Sequence, residues 1–218
     1  MDVSLRHVST LLVLGGFGLV LMHASAQARA GSGALQPAPA KTVLARVVEA
    51  IAPAPAPEPV EVWEGRDVDG DGAGDFVNPT GEAVREHDDY GLGRFGASRD
   101  GGTRDHAGVD FVSEAGQKVV APISGYVTRI GYAYDDAPEL RYVEISNPAL
   151  RYTARVLYVR PSVKVGQAVR LGTPIGKAAT LQERYPGITD HVHLEVMRRG
   201  ARVNPETVLA VRETSGLG

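Results

Sequence analysis

Cysteine is missing from the whole chain of 218 residues. That absence excludes disulfides, thiolate metal ligands and a cysteine nucleophile. Any metal site has to be built from imidazoles and carboxylates, as an open catalytic-type site rather than a zinc finger. A basic excess is also lacking. The formal net charge is -3 and no RNA- or DNA-binding motif is present, so nucleic acid is not an expected partner. The longest apolar run, residues 11–22, is shorter than the ~18 residues a spanning helix needs. Aromatics are sparse, with one Trp and four Phe, whereas glycine reaches 26. Many glycines together with β-branched residues favour strands joined by tight turns. A length of 218 residues with 43% hydrophobic content leaves room for one sizeable globular domain plus accessory segments.

The start of the chain reads as a secretory signal. Arg6 and His7 form a weakly basic opening, the apolar run follows, and Ala24-Ser25-Ala26 fits the small-x-small cleavage rule. The expected signal peptide is residues 1–26, with an alternative end at 30 after Ala28-Arg29-Ala30. With no cysteine after the run, a lipoprotein is excluded. The expected product is exported, periplasmic or secreted, with no stable membrane span in its mature form. Residues 27–60 read as an Ala/Pro-rich linker, including Ala52-Pro53-Ala54-Pro55-Ala56-Pro57. Within it Val43, Leu44, Val47, Val48 and Ile51 recur with helical spacing, so residues 41–51 form a candidate short amphipathic helix.

Residues 61–89 form an acidic Asp/Gly region. Asp67, Asp69, Asp71 and Asp75 occupy positions one, three, five and nine of a pattern with Gly72 at six, most of an EF-hand-like calcium loop. Position twelve is Asn78 instead of Glu, and no clear helix flanks the segment. Two readings stand side by side: a structural calcium site, and a solvated Asp-Gly turn. His87-Asp88-Asp89 likewise reads either as a solvated acidic loop or as metal-capable groups able to cover a site downstream.

Residues 90–212 carry the pattern of an antiparallel β domain, leaving 213–218 as a tail. Residues 109–112, 118–121, 125–130, 142–145, 153–159 and 191–197 read as strands, punctuated by glycine and proline, with no long helical period. Of the six histidines, His7 and His23 fall in the signal, and three of the other four lie in two motifs, Asp105-His106-Ala107-Gly108-Val109-Asp110 and Asp190-His191-Val192-His193. In a strand, His191 and His193 point the same way, and His106 and Asp110 would likewise share a face. Two histidines and a carboxylate form a recurrent open zinc site with a fourth position for water.

At these residues the chain resembles the LytM/lysostaphin-type zinc peptidases. The matching features are the glycine-rich approach at 91–110, Ala121-Pro122-Ile123-Ser124-Gly125, Val165-Gly166-Gln167, Gly172-Thr173-Pro174-Ile175-Gly176 and His191-Val192-His193, in the right order. The resemblance implies a small antiparallel β-sheet groove with zinc at its floor, His106, Asp110 and His193 as metal ligands, and His191 as a catalytic histidine. The family's usual Tyr-x-His stretch reads Leu157-Tyr158-Val159-Arg160-Pro161 here, with Arg160 at the histidine position. That variant, together with residues 185–193, resembles the leukocyte cell-derived chemotaxins, relatives that keep the fold and the zinc without being working peptidases.

Two functions follow as expectations. One is an exported zinc endopeptidase cleaving peptide cross-links of peptidoglycan. The other is a zinc-binding but non-hydrolytic module that binds the cell wall or regulates another hydrolase. In the first, His191 takes the water proton, Arg160 donates to the developing oxyanion and Tyr158, sharing its face, assists; the plain reading of Arg160 is a surface charge. Tyr126, Tyr132 and Tyr134 read either as groove-lining or as ordinary strand residues.

Overall fold

The computed structural model describes residues 59–215. The expected signal segment, the helix at 41–51 and nearly all of the linker lie outside the described residues. The elements, in order, are β1 (Pro59–Gly65), β2 (Ser98–Arg99), β3 (Arg104–Asp105), β4 (Val109–Val112), β5 (Lys118–Val120), β6 (Gly125–Tyr134), β7 (Ala137–Asn147) and β8 (Tyr152–Pro161). They continue with β9 (Ala168–Val169), β10 (Pro174–Ala178), β11 (His191–Arg198), β12 (Ala201–Val203) and β13 (Leu209–Ser215). Helical structure among the described residues is limited to two short 3₁₀ turns, as the absence of a helical period predicts. Every strand pair is antiparallel. The fold is therefore mainly β, and each strand expected from the sequence is present.

The main sheet runs β12-β11-β8-β7-β6-β9, with β4 added to β11 and β5 to β10. Strand β8 decides its shape. Residues 152–157 pair with β11 on one side, ending at His193↔Leu157, whereas Val159, Arg160 and Pro161 pair with β10. On its other side β8 pairs with β7 from Tyr152 to Val159, but the register jumps from Tyr142↔Leu157 to Arg141↔Val159. Tyr158 is the extra residue of that bulge, with φ 65°. A positive φ is costly for an aromatic residue, and bulges of this kind re-aim side chains at functional sites. The sheet thus forks at Tyr158.

Alternation along β11 separates core from cleft. Val192, Leu194 and Val196 are fully buried in the main core with Val109, Phe111, Val143, Ile145 and Val156, while His191, His193 and Glu195 face the other way. The segment 61–89, set apart on its composition, belongs to this same body. Strand β1 pairs with β13, and Trp63, Phe76 and Val84 are buried in the main core. Trp63 meets Phe111 edge-on at 5.7 Å. The boundary expected at residue 90 followed the run of aspartates; the three apolar side chains scattered through it carry too little periodicity to reveal a strand. Pairing with β1 also extends order to Ser215, into the segment expected as a tail. No helix among the described residues is long and apolar enough to cross a membrane.

Candidate metal centre and cleft

Register builds the centre. Strands β4 and β11 pair so that Asp110 stands directly opposite His193, which puts their side chains in contact on the cleft face. Gly108 permits the approach. A Cβ there would lie 2.8 Å from His193 Nε2 and collide with the Leu194 carbonyl oxygen, so any larger residue in the His-x-Gly-x-Asp motif forces β11 away.

His106 arrives differently from expectation. It is not on a strand with Asp110 but in the connection before β4. Its backbone N–H donates to Ala97 O at 2.8 Å and its carbonyl accepts from Gly96 N at 2.9 Å. A short β2–β3 hairpin therefore holds the residue, and strand alternation has no part in placing it. The strand expected to put His106 and Asp110 on one face is not there, and the hairpin brings the two together instead.

The three donor atoms converge. His106 Nε2 lies 3.1 Å from Asp110 Oδ1 and 3.0 Å from His193 Nδ1, and His193 Nδ1 lies 2.8 Å from Asp110 Oδ1. The trio is buried and can hold a metal ion. Each outward-facing atom is anchored. His106 Nδ1 donates to Arg94 O at 2.8 Å, leaving the Nε2 lone pair for the centre. His193 Nε2 faces Glu195 at 3.7 Å, and Glu195 is in turn held by Arg155 and Arg202, each at 3.3 Å. Asp110 Oδ2 accepts from Arg85 Nη2 at 3.0 Å and Nε at 3.3 Å, with Arg99 at 3.5 Å. Oriented ligands of this kind, each tied by a carbonyl, carboxylate or cation behind it, are what a metal site requires.

The electrostatics favour positive charge at the centre. Burial pushes the Asp110 carboxyl up, but the charge that His191 carries in acid, where a carboxyl titrates, and hydrogen bonds from His106 and His193 outweigh it and hold the group well below the usual carboxylate range. For His193, burial opposes the charged imidazole, yet Asp110 and Glu195 raise it to about 9. The donor set therefore fits a bound cation. His191 differs. Its Nδ1 donates to Thr189 O at 2.7 Å, and its Nε2 faces Asp110 Oδ1 at 3.5 Å. Burial lowers its pKa more than the Asp110 charge raises it. It is the neutral imidazole of the site, its free nitrogen turned toward the centre.

The centre lies in a cleft of about 800 Å³. Tyr134, Tyr158 and Tyr185 form one wall. Tyr158 meets His191 edge-on at 5.4 Å, and its hydroxyl is 2.8 Å from that of Tyr134. Burial, with the neighbouring Tyr134, raises the Tyr158 phenol; Tyr134 is raised to about 12, chiefly by burial. Of the other expected site residues, Arg160 is exposed, stands opposite Lys177 on β10, and is not part of the cleft wall. The bulge at Tyr158 breaks the alternation that had put the two on one face. Tyr126 and Tyr132 are exposed outside the cleft, and only Tyr134 of that trio lines it. The acidic loop brings Asp67, Asp69 and Asp71 carboxylates together, all exposed, while Asp75 accepts from Val68 N at 2.9 Å. Asn78 turns into its own bend, accepting from Thr80 N and Gly81 N. Arg85, Arg99, Glu195 and Tyr185 escaped the sequence reading. Glu195 alone had a signal there, as the next cleft-facing position after His191 and His193.

Myeloid protein 1 of Gallus gallus is 34% identical over 125 residues, covering 54% of this chain and 36% of that protein. Leukocyte cell-derived chemotaxin-2 of Mus musculus is 32% identical over 117 residues, covering 51% of this chain and 72% of that protein. The chain thus spans about a third of the length of the first relative and nearly three quarters of the second. The solved structure of the antimicrobial peptidase lysostaphin from Staphylococcus simulans aligns with a TM-score of 0.45 at 21% identity, over 59% of this chain and 50% of that one. Residues 104–205, which hold His106, Asp110, Tyr158, His191 and His193, match the model of peptidase family M23, and with that match beside the 32% identical chemotaxin, 72% of which is covered, the chain belongs to peptidase family M23.

Proposed function

We propose that this chain is an exported, zinc-dependent endopeptidase that cleaves peptide cross-links of peptidoglycan. The observation that carries the reading is the anchored trio of His106, Asp110 and His193 beside His191, whose Nε2 is turned to the same centre. Family membership supports a peptidase in general. His106, Asp110 and His193 would hold the zinc ion, and the chemistry it would supply is Lewis acidity toward a substrate carbonyl and a water, whose pKa such an ion lowers to about 7.

The chain's own residues do the rest. His191, kept neutral by burial and oriented by Thr189, accepts the water proton at Nε2 and returns it to the leaving amine. Tyr158 stays protonated at neutral pH because burial raises its phenol. When Tyr134 donates to the Tyr158 oxygen, the Tyr158 proton points into the cleft as a donor for the developing oxyanion. The oxyanion role first expected of Arg160 passes to Tyr158, since Arg160 is exposed and stands off the cleft wall.

The test is digestion of purified peptidoglycan by the zinc-loaded chain, with released peptides measured. His106→Ala is expected to lose both zinc and activity. His191→Ala is expected to lose activity with zinc kept. Tyr158→Phe is expected to lower kcat by about 100- to 1,000-fold, the usual worth of an oxyanion donor. A wild-type chain that carries zinc and releases nothing overturns the proposal. The second reading, a zinc-binding wall module without hydrolysis, is favoured by Arg160, which stands where the family carries a histidine and cannot act as a general base. Sedimentation with peptidoglycan without release of peptides would select it.

A further inference from the structure

Residues 85–91 precede the stretch matched by the family model and lie outside the trio able to hold a metal ion, yet they touch both halves of the centre. Arg85 is among the most deeply buried side chains of the molecule. Its guanidinium binds Asp110 Oδ2 through Nη2 and Nε, the Gly91 carbonyl at 2.8 Å and Asp88 Oδ1 at 2.6 Å. Asp88 Oδ1 also accepts from Tyr90 N at 2.9 Å, fixing the local turn. Its second oxygen accepts from the backbone N–H of Thr189 at 3.1 Å, a residue 101 positions further along. The carbonyl of that same Thr189 holds His191 Nδ1 at 2.7 Å. Next door, the Tyr90 hydroxyl donates to Pro186 O at 3.0 Å, and its ring meets Tyr185 edge-on at 5.5 Å. A continuous path of hydrogen bonds thus runs Asp110–Arg85–Asp88–Thr189–His191.

We propose that residues 85–91 are a clamp, in which Arg85 and Asp88 are positioning residues that fix the loop bearing His191 against the carboxylate of Asp110. Loops are the mobile parts of a β scaffold, and residues 186–190 are a loop with the proposed base at its end. The clamp replaces that freedom with a charge-assisted anchor at Thr189 and a tyrosine anchor at Pro186. Its catalytic consequence rests on the peptidase reading; its structural consequence does not.

Arg85 is too deeply buried for its loss to be read cleanly, so the test uses Asp88→Ala and Tyr90→Phe in the full, zinc-loaded chain. Hydrogen–deuterium exchange at residues 186–191 is measured beside kcat, KM and zinc content. The expected result for Asp88→Ala is exchange at Thr189 faster by at least about tenfold. With it, kcat falls about 10- to 100-fold, as for outer-shell partners in general, and KM and zinc stay unchanged. Tyr90→Phe does the same to a smaller degree. Asp88→Glu, which can still reach the Thr189 N–H, restores part of the rate. Unchanged exchange at Thr189 overturns the clamp, as does faster exchange with an intact kcat, or a loss of kcat that simply follows lost zinc. A wild-type chain that cuts nothing overturns the proposed function alone, and the exchange at Thr189 still decides the clamp.

Discussion

Residues 67–75 and residues 85–91 are both acidic, both lie ahead of the family-matched stretch, and behave in opposite ways. In the first, Asp67 accepts from Gly70 N and Gly72 N, Asp69 from Asp71 N, and Asp71 from Ala73 N. Three of these carboxylates are exposed and satisfied by their own loop. In the second, Asp88 is shared between Arg85 and Thr189. The difference is in the partners. A carboxylate answered by a backbone N–H two to five residues away builds a turn and nothing beyond it. One answered by a buried cation and by an amide from the far end of the chain couples two distant elements. Motif density pointed to the first segment; long-range pairing gives the weight to the second.

The sharpest way to break that contrast is to remove its cation. Arg85 is enclosed, with Asp110 and Asp88 both paired to it. Arg85→Met keeps the bulk and strands two carboxylates, one of them fully buried. Breaking a buried pair from one side costs about 3–5 kcal/mol. The expected outcome is a loss of that size in urea unfolding of the metal-free chain. A loss under about 1 kcal/mol would reduce Arg85–Asp110 to the standing of a surface pair, and with it the claim that the second segment is structural to the centre.

The same contrast explains what the sequence could disclose. The His-x-His on β11 was legible because strand alternation is local, and so was the antiparallel β class, written in glycine-punctuated β-branched runs. Asp110 opposite His193 was reachable only through the family resemblance, since register between strands separated by 83 residues leaves no local trace. Tyr158 was noticed but assigned its neighbours by a period-two rule that a single left-handed residue cancels. Arg85 had no signal at all. A buried arginine reads like any surface arginine until the two carboxylates that neutralise it are in place.

A smaller effect sharpens the comparison through pH. Burial pushes the Asp88 carboxyl up, but hydrogen bonds from Thr189 N, Arg85 and Tyr90 N, with the Arg85 charge, outweigh it and leave its pKa lowered. Arg85 and Arg99 are the cations facing it, and His87 and Asp89 flank it on its own segment. A carboxylate with a depressed folded pKa contributes stability that is present above its unfolded value, about 3.9, and is lost as pH falls through the folded value. Asp88→Asn keeps the shape and removes the charge. The expected outcome is a variant less stable than wild type by about 1.5 kcal/mol near pH 7. The gap should close as pH is taken below about 4. Urea midpoints between pH 7 and 3 would show it; a gap constant across that range would mean that the Asp88 charge does not hold the clamp.

The smallest effect is expected in the acidic loop, and it concerns calcium. The pattern at residues 67–75 matches most of a cation loop, and Asp67, Asp69 and Asp71 bring oxygens within reach of one ion. Two features argue that affinity is low. Asp75 is committed to Val68 N, and Asn78, at the position where a bidentate glutamate would close the coordination, is turned into its own bend. Strong calcium sites draw on six to eight oxygens, and three exposed carboxylates already accepting from backbone amides supply few. Binding that is half-saturated at millimolar ion stabilises the fold only slightly by linkage, which for a domain of this size is about 1–2 °C in Tm. Millimolar calcium is therefore expected to raise the melting temperature by no more than that, and Asp69→Ala to abolish the rise. A shift above about 5 °C that vanishes in Asp69→Ala would show that the loop's own hydrogen bonds yield to the ion, and the two acidic segments would then differ in which cation they hold, one a metal and the other an arginine, rather than in whether they hold one.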